Sequence, residues 1–162
     1  MPIAPSKTPT TTRFFQRGLS KAIFCPTMVD YKAPTFAELN AGTDLSDELA
    51  DWNGWSTKTN FIDTPSLGTT FDGKIIGTSV ADDSSLTLYV DRLGVDSRVI
   101  LKEGVTGFMV FLDNGLTSTK GDIFPCAVGG TPKQRSLSAA TTRRVDFAIT
   151  RKPAEDVTIP TV

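Results

Sequence analysis

The alternation Ser85-Leu86-Thr87-Leu88-Tyr89-Val90 constrains this chain more than any other feature. Leu86, Leu88 and Val90 fall on one side of an extended backbone and Ser85, Thr87 and Tyr89 on the other, the period of a half-buried antiparallel strand. The same period returns at Val145, Phe147 and Ile149, spaced by Asp146 and Ala148. Gly107–Leu112 and Asp122–Val128 read as buried strands; the first ends at Asp113-Asn114-Gly115, with the chemistry of a tight hairpin turn, and the second at Gly129-Gly130. Ile75, Ile76 and Val80 form another run before Asp82-Asp83-Ser84, which reads as a turn, so residues 71–90 are expected to form a β-hairpin. Many short strands between turn signals predict an antiparallel sandwich or barrel.

Helical signals are few. Thr35-Phe36-Ala37-Glu38 fits a capping box, in which Thr35 caps the first turn and Glu38 reaches back to its N–H. Asn40-Ala41-Gly42 ends that helix after little more than one turn, with Gly42 suited to a left-handed cap, and a plain turn is the alternative. Between Asp91 and Glu103 the alternation fails, while Val95, Val99 and either Ile100 or Lys102 fall at helical spacing. Asp96 as N-cap and Gly104 as stop predict a short helix there, packed on one side of the β-structure. Residues 13–29, with Gly18 and Pro26 among Phe14, Phe15, Leu19, Ile23 and Phe24, read as one or two short strands. Trp52 and Trp55 flank Asn53-Gly54, where glycine suggests a bend within a strand.

A length of 162 residues implies one domain, and a single core suffices at this size without metal or disulfide. Pro2, Pro5 and Pro9 make residues 1–12 an extended arm. Residues 13–156 form the domain and 157–162 a C-terminal tail, with Val157 and Ile159 extended before Pro160. Within the domain, residues 59–70 read as a loop that carries Phe61, Ile62 and Leu67 among turn-forming residues. A loop that apolar either folds back over the core or packs on another subunit.

The chain has no histidine, which removes Ser-His-Asp and Cys-His chemistry and most catalytic zinc sites. Cys25 and Cys126 lie far apart without a CxxC partner and read as small buried residues, a disulfide being the minority alternative. Phosphate-loop, dinucleotide, nucleophile-elbow and zinc-protease motifs are absent. Asp44, Asp47, Glu48 and Asp51 suit a solvated face better than a catalytic pair, and Asp82-Asp83 suits a turn better than a metal site. Arg143-Arg144 suits solvated or paired side chains better than a phosphate contact. A net charge of −1 argues against a dedicated nucleic-acid binder. The longest apolar run, Phe108–Leu112, is too short to span a membrane, and residues 1–12 lack a secretory apolar region, so synthesis and assembly in a cytosol are expected. No cofactor, metal or catalytic residue is implied, and composition leans to structure or binding.

Four runs together resemble the major tail tube proteins of long-tailed bacteriophages, the siphovirus type with non-contractile tails. They are Ala33-Pro34-Thr35 with residues 37–45, Ser56 to Pro65, Ala81 to Leu88, and Phe147 to Thr150 followed by Pro153-Ala154-Glu155. They extend over most of residues 33–156, and their order carries the likeness rather than any one run. The resemblance implies a mainly β chain: an antiparallel sandwich or half-barrel with a short flanking helix. It implies six copies in a ring, strands from each copy joined into a central β-barrel, and rings stacked into the conduit for DNA delivery. A tape-measure protein and a tail terminator are the implied partners, DNA passes the lumen without specific binding, no membrane is involved, and the virion tail is the implied location.

On that reading Phe61, Ile62, Pro65 and Leu67 are candidates for ring-to-ring contact, and Asp72, Asp82 and Asp83 for acids at the lumen or channel edge. A polar, neutral-to-acidic wall does not trap phosphates by counterion release. Other readings stay open. Trp52, Trp55 and Tyr89 could form the platform of a carbohydrate-binding or adhesin-type module, or serve as core or interface aromatics. A tail terminator or a contractile-tail inner tube would share the fold. An enzyme would have to work through carboxylates or tyrosine alone.

Overall fold

The computed structural model describes residues 11–160. Along the chain run β1 (Lys21–Cys25), α1 (Phe36–Asn40), β2 (Thr43–Asp44), β3 (Leu49–Asn53), β4 (Thr57–Thr64), β5 (Gly73–Ala81) and β6 (Ser84–Tyr89). Then follow β7 (Thr106–Leu112), β8 (Lys120–Val128), β9 (Lys133–Gln134), β10 (Thr142–Ile149) and β11 (Ala154–Thr158). The main sheet has the order β2-β1-β7-β8-β10-β6-β3, with β11 added to β8 and β9 to β10, and every pairing is antiparallel. Among the described residues β4 and β5 pair only with each other.

The sheet curls until its two ends meet. The Trp52 ring on β3 packs edge-on to Phe111 on β7, 5.4 Å between centroids. The terminal strands β2 and β3 are joined by residues 45–48 alone. There Leu45 N–H donates to the Ala22 carbonyl and Tyr89 N–H to the Glu48 carbonyl, so this segment stitches one end of the sheet to the other.

Two cores follow from the alternation of side chains along β1, β7 and β8. Phe24, Met109 and Phe124 point inward with Leu86, Leu88, Val145 and Phe147. Ile23, Val110 and Ile123 point the other way, to Val157, Ile159 and the flanking Leu39 of α1. A strand covered on both faces needs apolar residues at every position, which explains the unbroken run Phe108–Leu112. Cys25 and Cys126 flank β7 opposite Phe108 and Gly107, yet Cys25 lies in the second core and Cys126 in the first. Both are free thiols, and burial pushes Cys126 up to about 12 and, with the Glu38 charge adding to it, Cys25 to about 11.

The capping box at α1 forms in full: Thr35 Oγ1 accepts from Glu38 N–H, and a Glu38 carboxylate oxygen accepts from Thr35 N–H. Gly42 serves a different end from the left-handed cap expected of it. Ala41 caps the helix in right-handed geometry, and a Cβ on Gly42 would lie 2.6 Å from Ile23 and 2.7 Å from the Cys25 sulfur, so close packing demands glycine. The helix expected between Asp91 and Glu103 shrinks to one 3-10 turn, Ser97–Val99, capped by Asp96 as expected. The turn at Asp113-Asn114-Gly115 is longer than a tight hairpin because a second 3-10 turn, Gly115–Thr117, extends it. Val157 and Ile159, expected at the start of a tail, are buried, and β11 holds that stretch against β8. Residues 1–10 of the expected N-terminal arm and residues 161–162 of the tail lie outside the described residues.

The hairpin expected over residues 71–90 pairs differently. β5 pairs β4, and β6 pairs β3 and β10. Both runs are strands, but Asp82-Asp83 bends one strand onward from the β4–β5 pair into the main sheet instead of reversing it. Alternation reports a strand and leaves its partner open. Likewise, residues 59–64 of the expected 59–70 loop form most of β4, and only residues 65–72 connect β4 to β5.

Candidate assembly interface

Residues 49–89 form one long antiparallel ribbon, broken once. Its lower half, β3 with β6, belongs to the main sheet, with Asn53 opposite Ser85. Its upper half, β4 with β5, starts at Thr57 opposite Ala81 and projects as an arm. The bend between them is written in residues 54–56. Gly54 has φ +79, and a Cβ there would lie 2.2 Å from the Asp83 carbonyl oxygen, so only glycine fits. Trp55 also takes a left-handed backbone, φ 57, a strained choice for a bulky residue that its contacts hold in place.

Trp55 is the root of the arm. Its N–H donates to Ser84 Oγ at 3.1 Å and its indole N–H to the Ser85 carbonyl at 3.1 Å. The ring lies 5.1 Å from Phe111, 5.4 Å from Phe124 and 5.1 Å from Phe147, centroid to centroid. On the other strand Asp82 locks the bend. Its N–H donates to the Ser56 carbonyl, and its carboxylate accepts from Ser56 Oγ at 2.5 Å and pairs with Lys58 at 2.8 Å. The Lys58 ammonium first, and the Ser56 hydroxyl next, hold the Asp82 carboxyl below its ordinary value.

Beyond the root the arm has no core of its own. Phe61 pairs with Ile76 and Ile62 with Ile75, so successive pairs stand on opposite faces. Phe61 is 62% exposed and Ile76 77% on one face, and Ile62 and Ile75 are exposed on the other. Leu67 and Phe71 in the connecting turn are exposed as well. A lone two-stranded ribbon is marginally stable in water, and large apolar side chains on both of its faces mark a surface that other protein covers.

The sequence-derived candidates sort clearly on this frame. Phe61, Ile62, Pro65 and Leu67 all lie on the arm or its tip turn. Asp82 and Asp83 sit at the bend, while Asp72 lies at the far end of β5, so the three acids are not brought together. Trp52 and Trp55 pack inward on Phe111, and Tyr89 stands exposed at the other end of β6, so the three aromatics form no common platform. Arg143 is buried, 4% exposed, and donates through Nη2 to the Leu101 carbonyl, while Arg144 pairs with Asp146 at 2.8 Å. Ile75, Ile76 and Phe71 escaped the reading of the sequence as interface residues. Their signal was present in the unbroken apolar pair, which a one-faced strand would not carry.

Among the described residues no group of three or more Asp, Glu, Cys or His is placed to hold a metal, and no helix is long and apolar enough to cross a membrane. A half-barrel that holds two cores of its own, yet extends an uncovered apolar ribbon, defines a subunit built to meet protein. The sequence profile of phage tail tube proteins matches residues 8–162, and the chain belongs to that family. It is therefore a structural component of the phage tail in the virion. In fold it is similar to a chain of the anti-feeding prophage (AFP) baseplate, solved by cryo-EM and 6-fold symmetrised, with TM-score 0.57 and 10% identity over 90% of this chain and 95% of that one. A chain of SPP1 Dit (gp 19.1), described as a paradigm of hub adsorption apparatus in Gram-positive infecting phages, matches with TM-score 0.42 and 12% identity over 82% of this chain and 50% of that one. No curated protein sequence matches.

Proposed function

We propose that this chain polymerises as stacked hexameric rings to form the tube of a long, non-contractile phage tail, the conduit for DNA delivery. The observation that carries the reading is the β4–β5 arm, apolar on both faces and free along both strand edges. Free edges let arms of adjacent copies add strand to strand around a ring, and the two faces and tip give the contact from ring to ring. Phe61, Ile62, Pro65 and Leu67 carry that ring-to-ring contact, Asp82 and Asp83 at the bend stand at the lumen or channel edge, and Asp72, at the arm tip, stands with the ring-to-ring contact instead. Sixfold order takes support from the AFP baseplate chain of like fold. A tape-measure protein inside the tube and a terminator at its end complete the assembly, with DNA passing unbound. The domain runs on through β11 to Ile159, and the N-terminal segment before residue 13 supplies a link to neighbours.

Negative-stain electron microscopy of the concentrated chain, with its solution mass alongside, tests this. Tubes with a central bore are the expected outcome, and Phe61→Asp leaves a folded subunit that does not grow into tubes. Burial of a side chain like Phe61 contributes about 1.5–3 kcal/mol, a gain that an aspartate reverses at every copy. Single rings that never stack would point to a terminator instead, and normal tubes from Phe61→Asp would remove this residue from the interface.

A further inference from the structure

We propose that segment 90–99, with Leu137 beside it, is the face on which the arm tip of a second copy docks, head to tail. The inference rests on the tube-subunit reading above and names the surface that the arm meets. β6 runs from the bend at Asp82-Asp83 to Tyr89, and β3 lies antiparallel to it with Leu49 opposite Leu88. The arm therefore leaves one end of this ribbon and segment 90–99 leaves the other, separated by about 20 Å of strand. β10 begins at the same far end, with Thr142 opposite Tyr89 and Val90 N–H donating to the Thr141 carbonyl. That pairing brings the connection between β9 and β10, and Leu137 within it, to the same end.

This far end is apolar where a soluble turn would be polar. Leu93 is 85% exposed and Val95 79%, and Val99, Leu137 and Tyr89 are exposed with them. The segment is held in one shape. Asp91 accepts from Leu93 N–H at 2.7 Å, Asp96 accepts from Asp91 N–H at 2.7 Å and pairs with Arg98 at 2.8 Å, and Glu48 accepts from Ser97 N–H at 3.0 Å. A pre-shaped apolar surface loses little entropy on binding.

Charge offers the two surfaces one specific pair. Arg92, Lys133 and Arg135 at this end belong to none of the ion pairs among the described residues, and neither do Asp47, Glu48 and Asp91, so the end is mixed in charge. On the arm Lys58 pairs with Asp82 and Lys74 with Asp63, which leaves Asp72, beside Phe71, as the unpaired charge of the tip. Arg92, beside the exposed Leu93, is the cation offered to Asp72, beside the exposed Phe71. Because the two surfaces differ, their union is heterologous and can repeat from one ring to the next, as a tube requires.

The test introduces Leu67→Cys and Val95→Cys together in the full chain, whose native thiols are buried, and oxidises it at a concentration that drives assembly. Head-to-tail docking predicts a covalent ladder of dimers, trimers and longer species on a non-reducing gel, absent from either single variant. Dimers alone, joined arm to arm, overturn the proposal. A missing ladder in a sample whose micrographs show tubes overturns the docking face and leaves the tube reading standing; no ladder and no rings or tubes removes both. A charge exchange gives an independent readout. Arg92→Glu and Asp72→Arg each raise the critical concentration for growth about tenfold, and the double variant restores it. Failure of the double variant to recover, with each single variant impaired, overturns the pairing of tip and face.

Discussion

Trp55 shows how one residue serves both the fold and its use. Its ring fills the space between Phe111, Phe124 and Phe147, while its backbone turns the ribbon out of the sheet. Trp55→Ala is expected to cost roughly 3 kcal/mol of stability and to free the arm from its root. Chemical denaturation measures the first effect, and amide exchange across residues 57–81 the second. Loss of stability with unchanged exchange in the arm would show that Asp82 and its Ser56 and Lys58 partners hold the bend alone. The sequence pointed to this place, since Asn53-Gly54 between two tryptophans reads as a bend in a strand. It was silent on which way the rings face, because aromatic residues suit a buried root and an exposed platform equally well.

At the scale of elements, strands were legible and their partners were not. β6, β7, β8 and β10 each follow from local alternation or an unbroken apolar run. The capping box of α1 follows from Thr35 and Glu38. The partnership of β4 with β5 depends on residues 57–81 meeting beyond the sheet, which no local period encodes, and turn-type residues such as Asn60, Asp63 and Thr64 disguised the end of β4 as loop. Segment 90–103 failed as a helix because Asp96 and Asp91 bind backbone N–H groups in a turn, a competition that short polar side chains often win.

That same turn carries a pH dependence. Burial by itself would raise the Asp96 carboxyl, but the Arg98 side chain, the Arg98 and Asp91 N–H groups and the Arg98 charge outweigh it and hold the group down to about 2. A carboxylate depressed in the folded state stabilises above its unfolded value near 4 and loses that contribution as pH falls toward 2. Asp96→Asn should therefore cost about 2 kcal/mol near neutrality and progressively less below about pH 4, until it and the native chain converge. Denaturant titrations at both ends of that range measure the gap. A gap of constant size would mean that the carboxylate charge at this turn contributes nothing to stability.

For the whole molecule, the division of labour between half-barrel and arm makes a sharper demand. The half-barrel holds both cores, and the arm adds no buried apolar residue to either. At its root the two strands already lie in hydrogen-bonded antiparallel register, with Asp82 N–H on the Ser56 carbonyl at 2.9 Å. Replacing residues 57–81 with a two-residue Asn-Gly turn should thus convert β3 and β6 into an ordinary hairpin without disturbing the sheet. The expected product melts within a few degrees of the full chain, as suits the loss of an element that buries little, yet stays a monomer at concentrations where the full chain builds tubes. Calorimetry and light scattering on the two proteins side by side decide it. Tubes from the shortened chain would assign growth to the half-barrel and the terminal segments. A shortened chain that fails to fold would make the arm part of the fold, and would mean that its exposed faces are stabilised within one subunit instead of between subunits.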